Sequence, residues 1–211
     1  MDMRWDNVPW GAGLDEVSAY VQVSLDAQSR TALSGTLDQH QRDRIHEENA
    51  ASAKAFRESI VEFTGQKTGY DLSVVNEDFA HETSESMAVL QVGKITDYFF
   101  FHDKKLWKLV TTDASKVGFT ALLIELTNAY GAPPSMTYRD PDAKTEPVSA
   151  GWTSPMFIVS AAARPEYATR VITWTWRPIG DRIDTLRAGK LPPGKSHGED
   201  IDPAILDIMN P

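Results

Sequence analysis

Carboxylates crowd into one stretch of this sequence. Asn76-Glu77-Asp78-Phe79-Ala80-His81-Glu82-Thr83-Ser84-Glu85-Ser86 sets Glu77, Asp78, Glu82 and Glu85 around one histidine. Two carboxyls held in different environments can act as general acid and general base, here with His81 between them. A carboxylate-dependent hydrolase using segment 77–85 is one reading. The other is a polar connection between two strands, and no spacing in the segment is that of a known hydrolase site.

The remaining chemistry-bearing residues are scattered. A metal ion needs three or four converging ligands. The histidines are His40, His46, His81, His102 and His197. His40 and His46 stand about 120° apart on a helix. His46-Glu47-Glu48-Asn49 lacks the second histidine of a zinc-protease helix. Cysteine is absent, which excludes disulfides, thiolate metal sites and cysteine nucleophiles. Ser34, Ser59, Ser84 and Ser154 lie outside any Gly-x-Ser-x-Gly elbow. Gly11-Ala12-Gly13 lacks the third glycine of a dinucleotide fingerprint, and no Gly-Lys-Ser/Thr loop occurs. The expectation is no metal, no cofactor and no catalytic residue.

Aromatic residues are the denser signal. Tyr98-Phe99-Phe100-Phe101 must present rings to both faces of a strand, because successive side chains alternate. One face is core, and the other needs a cover: a helix, the tail or a partner. Tyr98, Phe100, Trp107, Trp152, Trp174 and Trp176 are the candidate partner-binding residues on the body of the chain.

The elements that must position them follow from periodicity. Trp10 to Gly13 is a turn into a helix. Asp15 and Glu16 lie in the first turn of that helix, and Leu14, Val17, Val21 and Leu25 form its apolar stripe. Residues 34–57 are a polar helical insertion with Leu37, Ile45 and Phe56 as the sizeable apolar positions. Ile60 to Phe63 predicts a strand. Tyr70, Leu72 and Val74 alternate as another, and Met87 to Val92 is apolar on both faces. Asp97 to Val110 predicts a β-hairpin turning near Asp103. Phe119, Leu122, Leu123, Leu126 and Tyr130 give a second helix, starting near Lys116 and stopped by Gly131 and Pro133-Pro134. Tyr138 to Pro147 is a solvated loop, and Trp152 with Met156 to Val159 makes the next strand. Tyr167 to Arg177 alternates with Trp174 and Trp176 on one face. Ile179, Ile183 and Leu186 suggest a short helix.

The tail 191–211 begins Leu191-Pro192-Pro193-Gly194 and returns an apolar cluster at Ile201, Ile205, Leu206, Ile208 and Met209. That cluster either tucks onto the body or is offered to a partner. Ile205, Leu206 and Ile208 complete the candidate partner-binding set.

Composition bounds the rest. The chain has 211 residues, 41% hydrophobic and 24% charged, and a net charge of −9. It is long enough to bury a core without metal or disulfide support. The acidic balance disfavours nucleic acid and leaves room for a basic partner surface. No apolar run spans a membrane. The first residues are neither basic nor followed by an apolar stretch, so a cytoplasmic location is expected, or an envelope location if a leader has been removed.

The order helix, strands, helix, strands resembles the fold of β-lactamase-inhibitor-protein-like modules and small outer-membrane assembly lipoproteins. In those families a glycine opens the helix ahead of a valine, a Tyr-Gly-x-Pro element closes the second helix and a tryptophan sits on a following strand. Leu14-Asp15-Glu16-Val17 and Tyr130-Gly131-Ala132-Pro133 stand in those places, and strands with Trp152 and Trp174 follow. The polar insertion, the missing cysteine pair and the missing lipobox depart from the pattern. The resemblance implies a non-catalytic module that binds another protein on its sheet, within a larger bacterial assembly. The expected fold is therefore α+β: a curved antiparallel β-sheet with helices packed on one face. A single domain over residues 1–190 is expected, with pseudo-repeat halves 1–113 and 114–190.

Overall fold

A computed structural model describes residues 7–34, 38–115 and 118–189. Its centre is an open eight-stranded antiparallel sheet. The strands are β1 (Val61–Glu62), β2 (Glu85–Val92), β3 (Ile95–His102), β4 (Lys105–Asp113), β5 (Ser135–Asp140), β6 (Thr145–Thr153), β7 (Phe157–Arg164) and β8 (Thr169–Trp176). They lie in the order β1-β2-β3-β4-β8-β7-β6-β5. Two meanders therefore meet at the β4–β8 pair. The α+β class with helices on an antiparallel sheet is what the structure shows.

Register fixes two opposite rows of side chains. Ala88, Phe99, Leu109, Trp174, Val159 and Trp152 are directly paired in succession from β2 to β6 and share one face. Met87, Phe100, Lys108, Thr175, Ile158 and Thr153 form the neighbouring row on the other face.

Helices α1 (Leu14–Leu33), α2 (Gln39–Glu58) and α3 (Phe119–Tyr130) cover the first face. Val17, Val21 and Leu25 from α1 and Phe56 from α2 meet Ala88, Phe99, Leu106 and Leu109. Leu122 and Leu126 from α3 meet Trp152, Val159 and Ile172. The polar character of α2 has a simple consequence: Asn49, Ala53 and Phe56 are its buried residues. Asn49 donates to Asp26 Oδ1 at 3.2 Å and Ser29 Oγ at 2.8 Å, pinning α2 to α1.

The second face of the aromatic strand is covered by the chain itself. Phe63, Val75 and Phe79, with Tyr70 and Val74, pack on Met87, Phe100, Trp107 and Val110. Ile179 and Ile183, from the short helices α4 (Arg177–Gly180) and α5 (Ile183–Ala188), join them.

Three local expectations differ from the structure. Gly69–Leu72 is a 3₁₀ turn, closed by a capping box between Thr68 and Asp71, where alternation predicted a strand. Leu72 there is 88% exposed. Tyr138 to Pro147 is the exposed end of the β5–β6 hairpin, not a loop; Asp140 Oδ1 accepts from the amides of Asp142 and Ala143 at its turn. Trp152 and Phe157 fall on separate strands joined through Ser154, whose amide donates to the Phe157 carbonyl.

Candidate functional site

The end of the sheet carrying the β3–β4 turn is shaped by a bulge. The register slips between Phe100 and Phe101, so that Phe100 opposes Lys108 while Phe101 opposes Leu106. Trp107 is the extra residue, and a bulge re-aims side chains. Trp107 and Lys108 consequently share the second face, with Lys108 Nζ 4.4 Å from the Trp107 ring centroid.

Beneath α4 and α5 this face holds a buried ionic cluster. Lys108 Nζ donates to the Asp78 carbonyl at 2.9 Å and to Asp78 Oδ1 at 3.1 Å. Burial pushes the Lys108 amine below its ordinary pKa, against the opposing pull of Asp78. Arg187 of α5 grips Glu85 with two nitrogens, and Thr83 Oγ1 donates to the same carboxylate at 3.0 Å. His81 contacts Asp71 at 2.8 Å. Partial burial pushes the Asp71 carboxyl up, but hydrogen bonds from Thr68 and His81 outweigh it and leave the pKa below the usual carboxylate range.

The acidic segment is thus divided among separate tasks. Asp78 is held by Lys108 and Glu85 by Arg187. Glu77 is exposed. Glu82 lines a shallow depression with Glu62 and Asp103. Among the described residues no group of three His, Asp or Glu side chains is arranged to hold a metal ion.

The candidate partner-binding residues fall on both faces of the sheet. Phe100 and Trp107 are 0% and 1% exposed, sealed under Phe63, Phe79 and the C-terminal helices. Tyr98 is half-buried against Tyr70, ring centroids 6.3 Å apart, and its hydroxyl pKa is raised by burial. Trp152, Trp174 and Trp176 are on the opposite face. Ile205, Leu206 and Ile208 lie outside the described residues.

On that opposite face the helical cover has a gap. Between the segment leading into α1 and the C-terminus of α3 lies a groove of about 810 Å³, within the usual size range of ligand pockets. Its floor is the continuous row Leu109, Trp174, Val159 and Trp152. One wall is Val8 and Trp10, and the other is Tyr130 with Ala132 and Pro134. Phe157 closes the end, 5.4 Å from the Trp10 ring.

The groove is held open by hydrogen bonds. Trp152 Nε1 donates to the Gly131 carbonyl at 2.8 Å, and Trp174 Nε1 donates to Tyr130 Oη at 2.9 Å. Both indoles are therefore oriented and their polar edges satisfied. Gly131 sits at φ 83°, the left-handed region that lets α3 end sharply and turn its carbonyl to Trp152. The opposite wall is tied down because Gly11 N donates to the Leu106 carbonyl and Leu106 N to the Ala12 carbonyl, both at 2.9 Å.

Of the residues lining this groove, the sequence singles out Trp152 and Trp174 as candidates but not Trp10, Tyr130 or Phe157. Trp10 reads only as a turn residue, and Tyr130 as one more position on a helix stripe. Only the gap between helices brings them together.

Fold and groove together define an α+β protein with an open antiparallel sheet and an aromatic-lined cleft on its helical face. No family model, curated protein or solved structure matches this chain. Among the described residues no helix is long and apolar enough to cross a membrane.

Proposed function

We propose that this chain is a non-catalytic protein-binding domain that captures an apolar segment of a partner in the Trp10–Trp152–Trp174 groove. The observation that carries this reading is the groove itself. It is a pre-formed concavity whose indole N–H groups are already bonded, so it offers ring faces more than unmet polar groups. Buried aromatic anchors of this kind dominate the energetics of protein interfaces. Engagement of Asp78 and Glu85 by cations further favours binding over carboxylate chemistry.

The same reading makes the domain a scaffold component of a larger bacterial assembly. It also takes the two meanders meeting at β4 and β8 as a tandem repeat, in the manner of the β-lactamase-inhibitor-protein-like fold. The net charge of −9 suits a partner with a basic rim around its apolar segment.

The test is capture of partners from the native host, followed by affinity measurement with the purified partner. Trp10→Ala and Phe157→Ala, both verified as folded by circular dichroism, are expected to weaken that affinity at least tenfold. Equal affinity in wild type and both variants would overturn the reading.

A further inference from the structure

We infer that the groove has a resident ligand, the chain's own segment 201–209, which a partner must displace. This rests on the binding reading above and adds a layer of regulation to it.

Three observations point to this occupant. The first is the match in chemistry. Segment 201–209 carries Ile201, Ile205, Leu206, Ile208 and Met209, and the groove is floored by Leu109, Trp174, Val159 and Trp152. Burying aliphatic side chains against aromatic walls contributes in proportion to the apolar area removed from water.

The second is position. The last described helix, α5, is anchored at one end of the sheet: Arg187 binds Glu85 at the start of β2, and Leu186 lines a depression with His102, Lys105 and Trp176. Antiparallel pairing places the start of β2, the end of β3, the end of β8 and the start of β7 at that same end. Phe157, which closes the groove, is the first residue of β7. The groove and the exit of the chain from α5 therefore share one end of the sheet, on opposite faces.

The third is reach. From β3 to β7 the path crosses three strand spacings, about 15 Å in all, and each packed layer adds about 10 Å. Positions 189 to 201 span up to about 40 Å when extended. The linker is long enough to round the sheet edge and short enough to keep the segment at a millimolar effective concentration. At that concentration even a segment of about 0.1 mM intrinsic affinity fills the groove in most molecules, and a competing partner binds about tenfold more weakly than to an empty groove.

The experiment uses the full chain. Leu206→p-benzoylphenylalanine is irradiated and its cross-links are mapped by mass spectrometry. The expected product has monomer mass, with the link on Trp10, Tyr130, Trp152, Phe157 or Trp174. Cross-links on other surfaces, or only between two chains, would overturn the inference. A second arm uses Ile205→Asp/Ile208→Asp, which is expected to abolish groove cross-linking and raise partner affinity about tenfold. Persistent groove cross-linking in this variant counts against the inference. Loss of cross-linking with no change in partner affinity leaves the self-occupancy standing and removes the partner from the groove, so the two readings fail separately.

Discussion

Glu85 and Arg187 stand 102 positions apart and form a two-pronged ion pair, with Arg187 Nε donating to Oε1 at 2.6 Å and Nη2 to Oε2 at 2.9 Å. The Glu85 side chain is fully buried and that of Arg187 is 13% exposed. This contact ties α5, the last described element, to the start of β2. It closes the cover over Phe100 and Trp107.

Removing one partner of such a pair leaves an uncompensated buried charge. Arg187→Ala is expected to destabilise the fold by about 3–5 kcal/mol. The Thr83 hydroxyl still reaches the Glu85 carboxylate, but no guanidinium then neutralises it. The apolar double replacement Glu85→Leu/Arg187→Leu should cost less than Arg187→Ala, because no stranded charge remains. Urea unfolding of the three proteins decides this. A double variant less stable than Arg187→Ala would show that the pair itself contributes most of the stability.

The buried pair also shows where the sequence is legible and where it is not. Local periodicity identifies α1, α3 and the β3–β4 hairpin, because Val17, Val21, Leu122 and Leu126 are buried for local reasons of spacing. Tyr98 to Phe101 correctly demanded a covered second face. What covers it is non-local: Phe79 and Ile183 come from distant segments with no periodicity to link them. The bulge at Trp107 is equally silent, since one extra residue in Leu106-Trp107-Lys108-Leu109 leaves no mark in composition. Strict alternation would put Trp107 and Lys108 on opposite faces. The acidic segment admits a hydrolase reading beside the structural one in sequence because its cationic partners, Lys108 and Arg187, lie 30 and 102 positions away from Asp78 and Glu85.

Gly11 is a point where backbone and groove are coupled. Its φ is +81°, and a Cβ built there would lie 3.0 Å from the Trp176 ring. Gly11→Ala is expected to lose about 1–2 kcal/mol through left-handed strain and the contact with Trp176. The Leu106 hydrogen bonds that fix the Trp10 wall run through this residue and its neighbour. Partner affinity should therefore fall along with stability. A stable Gly11→Ala protein with full affinity would show that the wall adjusts without cost.

The Asp71 carboxyl gives the acid limb of stability a specific contributor. Its pKa is lower in the folded chain than in the unfolded one. The unfolded chain therefore binds more protons across that interval, and the stabilisation present above the ordinary carboxylate range is lost as pH falls through the folded pKa. Asp71→Asn keeps a side-chain acceptor for Thr68 but does not titrate. Its stability curve should be flatter than wild type below about pH 4. Identical acid slopes in urea titrations would remove Asp71 from the account.

Lys108 has the opposite consequence at high pH. Its folded pKa is lowered by burial, so the unfolded chain holds more protons between that value and the ordinary lysine value of about 10.4. Wild-type stability therefore rises with pH through this window as the buried ammonium is relieved of its charge. Lys108→Met, which keeps the stem against Trp107 and Phe100, should show no such rise. At neutral pH it loses the hydrogen bonds to Asp78, a cost of about 1.5–3 kcal/mol for a charged donor, offset in part by removing a desolvated cation. The two stability curves should therefore separate as pH rises, with wild type gaining on the variant. Parallel curves from neutral pH to about pH 10 would mean that Lys108 keeps its proton throughout, held by Asp78.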